Sequence, residues 1–251
     1  MIKAILFDFG QTLVDSADGF RMAEKEAQMK IFNDLDMTEW EDFILVYREV
    51  RTDFHASSNL SRVAIWKEIY SRFNKLIDNR RLSKWEHDYW ETVKAKTILF
   101  PETERVLQSL GSRYKMALIT NTQGQKTTGK HRINLMPRLK KFFKVILVAG
   151  ELNVPPKPDR MPFLMCLKNL NIKPEEAVYI GDDWHKDICG AKNAGIQPVW
   201  LQHHSVYRTW PDIETSIPVI TSLDQLLNLD NLLPNTASIG SLISMFTMCY
   251  F

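Results

Sequence analysis

Ile2-Lys3-Ala4-Ile5-Leu6-Phe7-Asp8-Phe9-Gly10-Gln11-Thr12-Leu13 is a short, apolar, β-prone run broken by an acid and then by a glycine turn. A brief apolar strand closed in this way fits a strand buried within a parallel sheet. From Pro101 onward, strand and helix patterns alternate. Residues 103–110 read as helix, 114–120 as strand, 145–148 as strand and 159–170 as helix. Residues 177–180 follow as strand and 187–194 as helix, with Gly195 placed to close it. Short strands are predicted at 198–201 and 218–220, and a last helix starts at 223–227. Alternating βα units predict an α/β fold, a Rossmann-like parallel sheet with helices on both faces.

Between the first strand and Pro101 the pattern changes. From about residue 18 to 96 the chain is charged and aromatic and contains no proline. Phe20, Ala23, Ala27, Ile31 and Leu35 recur every three or four residues, as do Trp40, Phe43, Ile44 and Tyr47, then Val63, Trp66, Ile69, Tyr70 and Phe73. That period predicts several amphipathic helices. Ser57-Ser58-Asn59 marks a loop between two of them, and Thr38 with Glu41 has the spacing of a capping box. The chain therefore divides into a core at 1–16 and 97–233, an inserted α-helical cap at 17–96, and an uncharged apolar tail at 234–251. The tail suggests a docked segment or an interface, hence a possible homodimer.

Bulk properties exclude several classes. The chain of 251 residues carries a formal charge of +2 with a pI near 8.3. That is too mild a basic balance for nucleic acid. Cys166, Cys189 and Cys249 are too few and scattered for a disulfide framework, and no CxxC pair suggests zinc. A reducing, cytoplasmic setting is the expectation. No apolar stretch reaches the roughly 20 residues needed for a membrane span, and the N-terminal apolar run is too short for a secretory signal.

In open α/β sheets, ligands bind at the carboxyl ends of the strands. The first strand delivers Asp8, the next core strand Thr120 and Asn121, and a later one Gly181, Asp182 and Asp183, with Asp187 one helical turn on. Lys157 precedes a helix in Pro155-Pro156-Lys157-Pro158. Taken singly, these residues read as caps, turns or surface charges; their order along the chain and a shared sheet edge make them a site. Asp8 and Asp182 can hold Mg²⁺, a hard cation served by carboxylates and substrate oxygens. Asp8 can attack phosphorus to form an aspartyl-phosphate. Thr120 offers a hydroxyl to a phosphoryl oxygen, and Lys157 a mobile point charge that also keeps Asp8 ionised.

Phe7-Asp8-Phe9-Gly10-Gln11-Thr12-Leu13, Leu118-Ile119-Thr120-Asn121, Lys157-Pro158-Asp159, and Gly181-Asp182-Asp183 with Asp187 resemble, in that order, the four motifs of the haloacid dehalogenase (HAD) superfamily. The helical region matches where that family inserts its first-type cap. The resemblance implies a Mg²⁺-dependent hydrolase acting on a small phosphorylated metabolite. Asp8 would be its nucleophile and metal ligand, and the Gly10 carbonyl and Asp182 the remaining protein ligands. Thr120, Asn121 and Lys157 would bind substrate, while Asp183 and Asp187 would support the metal.

The sequence departs from this family at one position. Family phosphatases carry a second Asp two residues after the nucleophile, which protonates the leaving oxygen and later activates water. Here Gly10 stands in that place. General acid–base help is worth about 10²–10⁴-fold. His185 is a candidate substitute. A phosphorus–carbon hydrolase, which would need a cap lysine among Lys25, Lys30, Lys67, Lys75 and Lys84, is an alternative, as is a weakly catalytic phosphate- or partner-binding scaffold. The acids Asp182, Asp183 and Asp187 argue against dehalogenase chemistry.

Overall fold

The computed structural model describes residues 1–57, 59–122, 132–202 and 213–233. The opening run forms β1 (Ala4–Phe7), followed by a short β2 (Val14–Asp15). Four helices come next: α1 (Ala17–Asp34), α2 (Trp40–Ala56), α3 (Arg62–Arg72) and α4 (Asn79–Ala95). The chain returns through β3 (Ile98–Leu99) to α5 (Thr103–Gly111), β4 (Lys115–Asn121), α6 (Pro137–Lys140), β5 (Val145–Ala149) and α7 (Met161–Leu170). It then forms β6 (Ala177–Gly181), α8 (Gly190–Asn193), β7 (Gln197–Leu201), β8 (Val219–Ile220) and α9 (Leu229–Leu232). The tail at 234–251 and the polar loop at 123–131 lie outside the described residues. Among the described residues no helix is long and apolar enough to cross a membrane.

Six strands form one parallel sheet in the order β5-β4-β1-β6-β7-β8. β1 lies between β4 and β6, and all four of its side chains are fully buried. Its alternation feeds two cores. Ile5 and Phe7 pack with Val106, Leu107, Leu118 and Ile180 on one face. Ala4 and Leu6 pack with Ile119, Phe163, Leu167 and Tyr179 on the other. Burial on both faces explains why the strands read as continuous apolar runs rather than alternating ones. After β1 the chain builds β4 and β5 on one side, then crosses back to β6 on the other. This reversal opens a crevice at the carboxyl end of β1.

The inserted helices close on a core of their own, in which Ala23, Ala27, Ile31, Phe43, Tyr47, Trp66, Tyr70, Trp90 and Val93 are buried together. The recurring apolar residues of the sequence face this core. α1 runs against α4, and Gly19 sets their separation. A Cβ there would sit 2.9 Å from the Val93 carbonyl oxygen and 3.1 Å from its Cα. The antiparallel pairing of β2 with β3 ties the entry of the insertion to its exit. Thr103 reinforces this neck by donating from Oγ1 to the Leu13 carbonyl at 2.9 Å.

Two local expectations need correction. The Thr38–Glu41 capping box does not form, because Glu39 is the N-cap of α2 and no side chain accepts from its first turn. The helix expected at 187–194 is a π-helical turn, Trp184–Cys189, continued by α8. The Asp183 carbonyl accepts from both Asp187 N (2.9 Å) and Ile188 N (3.3 Å), which widens that turn. Gly195 closes the segment as expected, with φ of 76°. Its N–H reaches the Lys192 carbonyl and that of Ile196 reaches Ala191, the paired bonds of a Schellman stop.

Candidate active site

Three strand ends and one loop meet in the crevice. Asp8 follows β1, and its N–H donates to the Ile180 carbonyl at 2.9 Å, locking it beside the end of β6. Asp182 and Asp183 follow β6, and Thr120 and Asn121 end β4. One oxygen each from Asp8, Asp182 and Asp187 lie within 4.8 Å of one another.

Lys157 sits at the centre of this group, 3% exposed. Its Nζ donates to Asp187 Oδ1 (2.6 Å), Asp8 Oδ1 (2.7 Å), the Tyr179 hydroxyl (2.8 Å) and the Ile119 carbonyl (3.1 Å). The mobile point charge expected from the sequence is thus a fixed one. Asn121 holds the lysine backbone: its Oδ1 accepts from Lys157 N (2.8 Å) and its Nδ2 donates to Lys157 O (3.0 Å). Both polar ends of Asn121 are engaged in this clamp, so it positions Lys157. Thr120 is buried at the same strand end.

Asp187 reaches the cluster because Gly181 leaves room for it. A Cβ at position 181 would lie 2.5 Å from Cβ, Cγ and Oδ2 of Asp187. Asp187 Oδ2 accepts from Asp183 N at 3.1 Å, and Oδ1 also accepts from the Tyr179 hydroxyl at 3.1 Å. The Asp183 carboxylate caps the π-helical turn, accepting from Lys186 N (2.9 Å) and pairing with Lys186 Nζ (3.0 Å). His185 is exposed. Trp184 is buried and packs edge-on against Trp200 with ring centroids 4.8 Å apart, as a packing residue would.

Burial alone would lower the Lys157 ammonium, but Asp187 and Asp8 outweigh it and hold it above its ordinary value. Burial pushes the Asp187 carboxyl up; Lys157 opposes this, while Asp8 and Asp183 add to it, leaving it near 6. Burial, then Asp187 and Asp8, raise the Tyr179 hydroxyl well above its usual range, so it stays a neutral donor. Asp8, Asp182 and Asp187 together form an oxygen donor set that could hold a hard divalent cation.

Above the crevice lies a cleft of about 670 Å³ between core and helical insertion. Gly10, Gln11 and Lys186 line it from below, and Glu24, Arg51, His55, Arg62 and Tyr89 from above. Of the five lysines weighed for phosphorus–carbon chemistry, Lys25 is in its lining and the other four are not. Glu24 and Tyr89 carried no sequence signal, since an isolated acid or tyrosine on an amphipathic helix reads as ordinary surface or core.

A parallel sheet with a helical insertion over an acidic, lysine-bridged strand edge defines a capped hydrolase core of the α/β class. The chain belongs to the haloacid dehalogenase-like hydrolase family, whose profile matches residues 5–201. It is 30% identical over 245 residues to a glyceraldehyde 3-phosphate phosphatase from Pyrococcus furiosus, covering 91% of this chain and 92% of that one. It is 26% identical over 208 residues to the N-acylneuraminate-9-phosphatase of Mus musculus, covering 80% and 82%. The fold is shared with a HAD phosphatase from Thermococcus onnurineus, with a TM-score of 0.62, 21% identity and coverage of 92% and 99%.

Proposed function

We propose that the protein is a cytoplasmic, Mg²⁺-dependent phosphatase that acts on a small phosphorylated metabolite through an aspartyl-phosphate. The observation that carries this reading is the Lys157 ammonium bridging Asp8 and Asp187, with Asp182 close by, at the carboxyl edge of the sheet. Asp8 is the nucleophile. Its free carboxylate oxygen attacks phosphorus as the bond to the leaving oxygen breaks, and water then hydrolyses the acyl phosphate. Lys157 aligns Asp8 and offers positive charge to the phosphoryl oxygens, while Thr120 donates its hydroxyl to them. Asn121 keeps Lys157 in place. Asp8, the Gly10 carbonyl and Asp182 would hold Mg²⁺, with Asp183 and Asp187 supporting that edge. The ion would offset the charge of the phosphoryl group.

Gly10 provides no side chain to protonate the leaving oxygen. This favours substrates whose leaving group needs no acid, such as acyl phosphates. The helices at 17–96 form the substrate-covering unit, and 1–16 with 97–233 the catalytic core. Phosphorus–carbon hydrolysis is a second reading; it rests on Lys25, which lines the cleft.

The test is phosphate release from p-nitrophenyl phosphate and acetyl phosphate, with and without Mg²⁺, by wild type and Asp8→Asn. We expect metal-dependent release that is biased toward acetyl phosphate and disappears in Asp8→Asn. Equal release by a folded Asp8→Asn variant would remove Asp8 from the mechanism.

A further inference from the structure

We propose that the substrate carries, besides its phosphoryl group, a carboxylate that is read by Arg62 in the cleft. This rests on the phosphatase reading for the first group and on the insertion alone for the second. Arg62 begins α3 and is 4% exposed, yet it lines the cleft. Its Nη1 donates to the Leu60 carbonyl (2.9 Å) and its Nη2 to the Tyr89 hydroxyl (3.2 Å), while its Nε has no hydrogen-bond partner. Among the described residues no carboxylate stands within ion-pair distance of it. Three other cations of the lining have acidic partners: Arg51 pairs with Glu24 at 3.3 Å, Lys186 with Asp183 at 3.0 Å, and Arg21 with Asp18.

Glu24, the one acid in the lining, is shared among several donors. It accepts from the Tyr47 hydroxyl (3.0 Å) and the Tyr89 hydroxyl (3.1 Å) besides Arg51. It acts on Arg62 from a distance, through the Tyr89 hydroxyl that accepts from Arg62 and donates to Glu24, and is shared with Arg51. The cleft is therefore positive around His55, whose imidazole is depressed to about 4 by burial and then by Arg51 and Arg62.

A buried guanidinium without a paired acid is costly unless something completes it. The helices nevertheless hold it in place. Its Cζ lies 4.9 Å from the Tyr89 ring centroid and 5.8 Å from that of Trp90. A guanidinium fixed before the ligand arrives loses little freedom on binding, and its planar fork matches a carboxylate. The same cleft reaches Gly10 and Gln11, in the turn that follows Asp8. A ligand anchored at Asp8 by its phosphoryl group would thus present its other end to Arg62.

The experiment is calorimetric titration of the full-length Asp8→Asn protein, which cannot turn over, with Mg²⁺ present. The two ligands, 3-phosphoglycerate and glycerol 3-phosphate, differ in the carboxylate. We expect 3-phosphoglycerate to bind at least about tenfold more tightly, the scale of one charge-assisted hydrogen bond. Arg62→Met in the same background should bring the two ligands to equal affinity, and Arg62→Lys, which keeps the charge but loses the fork, should restore only part of the gap. Equal affinities with Arg62 intact, or no binding of either ligand, would overturn the proposal whether or not the Arg62 variants fold. Wild-type turnover of p-nitrophenyl phosphate reports separately on the phosphatase reading: a tenfold gap without turnover would keep the carboxylate site and discard the hydrolysis.

Discussion

Replacing Lys157 with methionine isolates the charge that holds the cluster together. Methionine keeps the length and apolar stem of the side chain but deletes an ammonium that reaches four acceptors. Asp8 and Asp187, 8% and 1% exposed, would face each other and Asp182 without a cation. Removing one partner of a buried ion pair costs about 3–5 kcal/mol. For a chain of this size that corresponds to a fall in Tm of roughly 6–20 °C. The assay is urea unfolding followed by tryptophan fluorescence and circular dichroism, in EDTA at pH 7.5. The loss should depend on pH, and its sign follows from Asp187. The folded-state pKa of Asp187, about 6, lies above the unfolded 3.8. The native state therefore gains protonation stability as pH falls from 6 toward 3.8, and bears the full cost of an ionised Asp187 above 6. At pH 5 a proton on Asp187 takes over part of the neutralisation, so the variant should lose less there than at pH 7.5. A loss below about 1 kcal/mol at pH 7.5, set against the 3–5 expected, would refute the view that Lys157 balances these carboxylates. So would a larger loss at pH 5.

Gly10→Asp should raise turnover of p-nitrophenyl phosphate, by up to about 10²–10⁴-fold if the added carboxyl serves as the general acid. A folded variant with no gain would show that the missing acid is not what limits the enzyme. The backbone at position 10 does not itself demand glycine, since the described glycines in the left-handed region are Gly150 and Gly195. Gly181→Ala should cost about 1–3 kcal/mol by forcing Asp187 aside, and should weaken Mg²⁺-induced quenching of tryptophan fluorescence. Unaltered stability and quenching would mean that Asp187 need not sit under β6.

The sheet was legible because its physical cause is local. A strand buried on both faces must be apolar throughout, and β1, β4 and β6 carry that mark in their sequences. The convergence of the candidate residues was legible for a related reason: in a parallel sheet every strand ends on the same edge, so Asp8, Thr120 and Asp182 had to meet once the strands were recognised. The period of the insertion gave its helices but not their arrangement. α4 was the hardest to read, because Glu86 and Tyr89 stand among its buried residues beside Trp90 and Val93. The β2–β3 neck consists of two pairs of residues, too short for any alternation to register.

What the sequence withheld lies mostly in contacts between elements. Asn121 looked like a substrate ligand because it follows a strand end, but its amide is matched in both directions by the backbone of residue 157, thirty-six positions on. Asp183 caps the turn through the nitrogens of Lys186 three residues away and acts on Asp187 by its charge. Asp187, farther along the chain, is the one that folds back, and only because Gly181 has no Cβ to stop it. In a run of several acids, the residue that joins a buried site is therefore decided by steric room. Room is set by the partner position, so the glycine that precedes the acids carries as much of the information as the acids themselves.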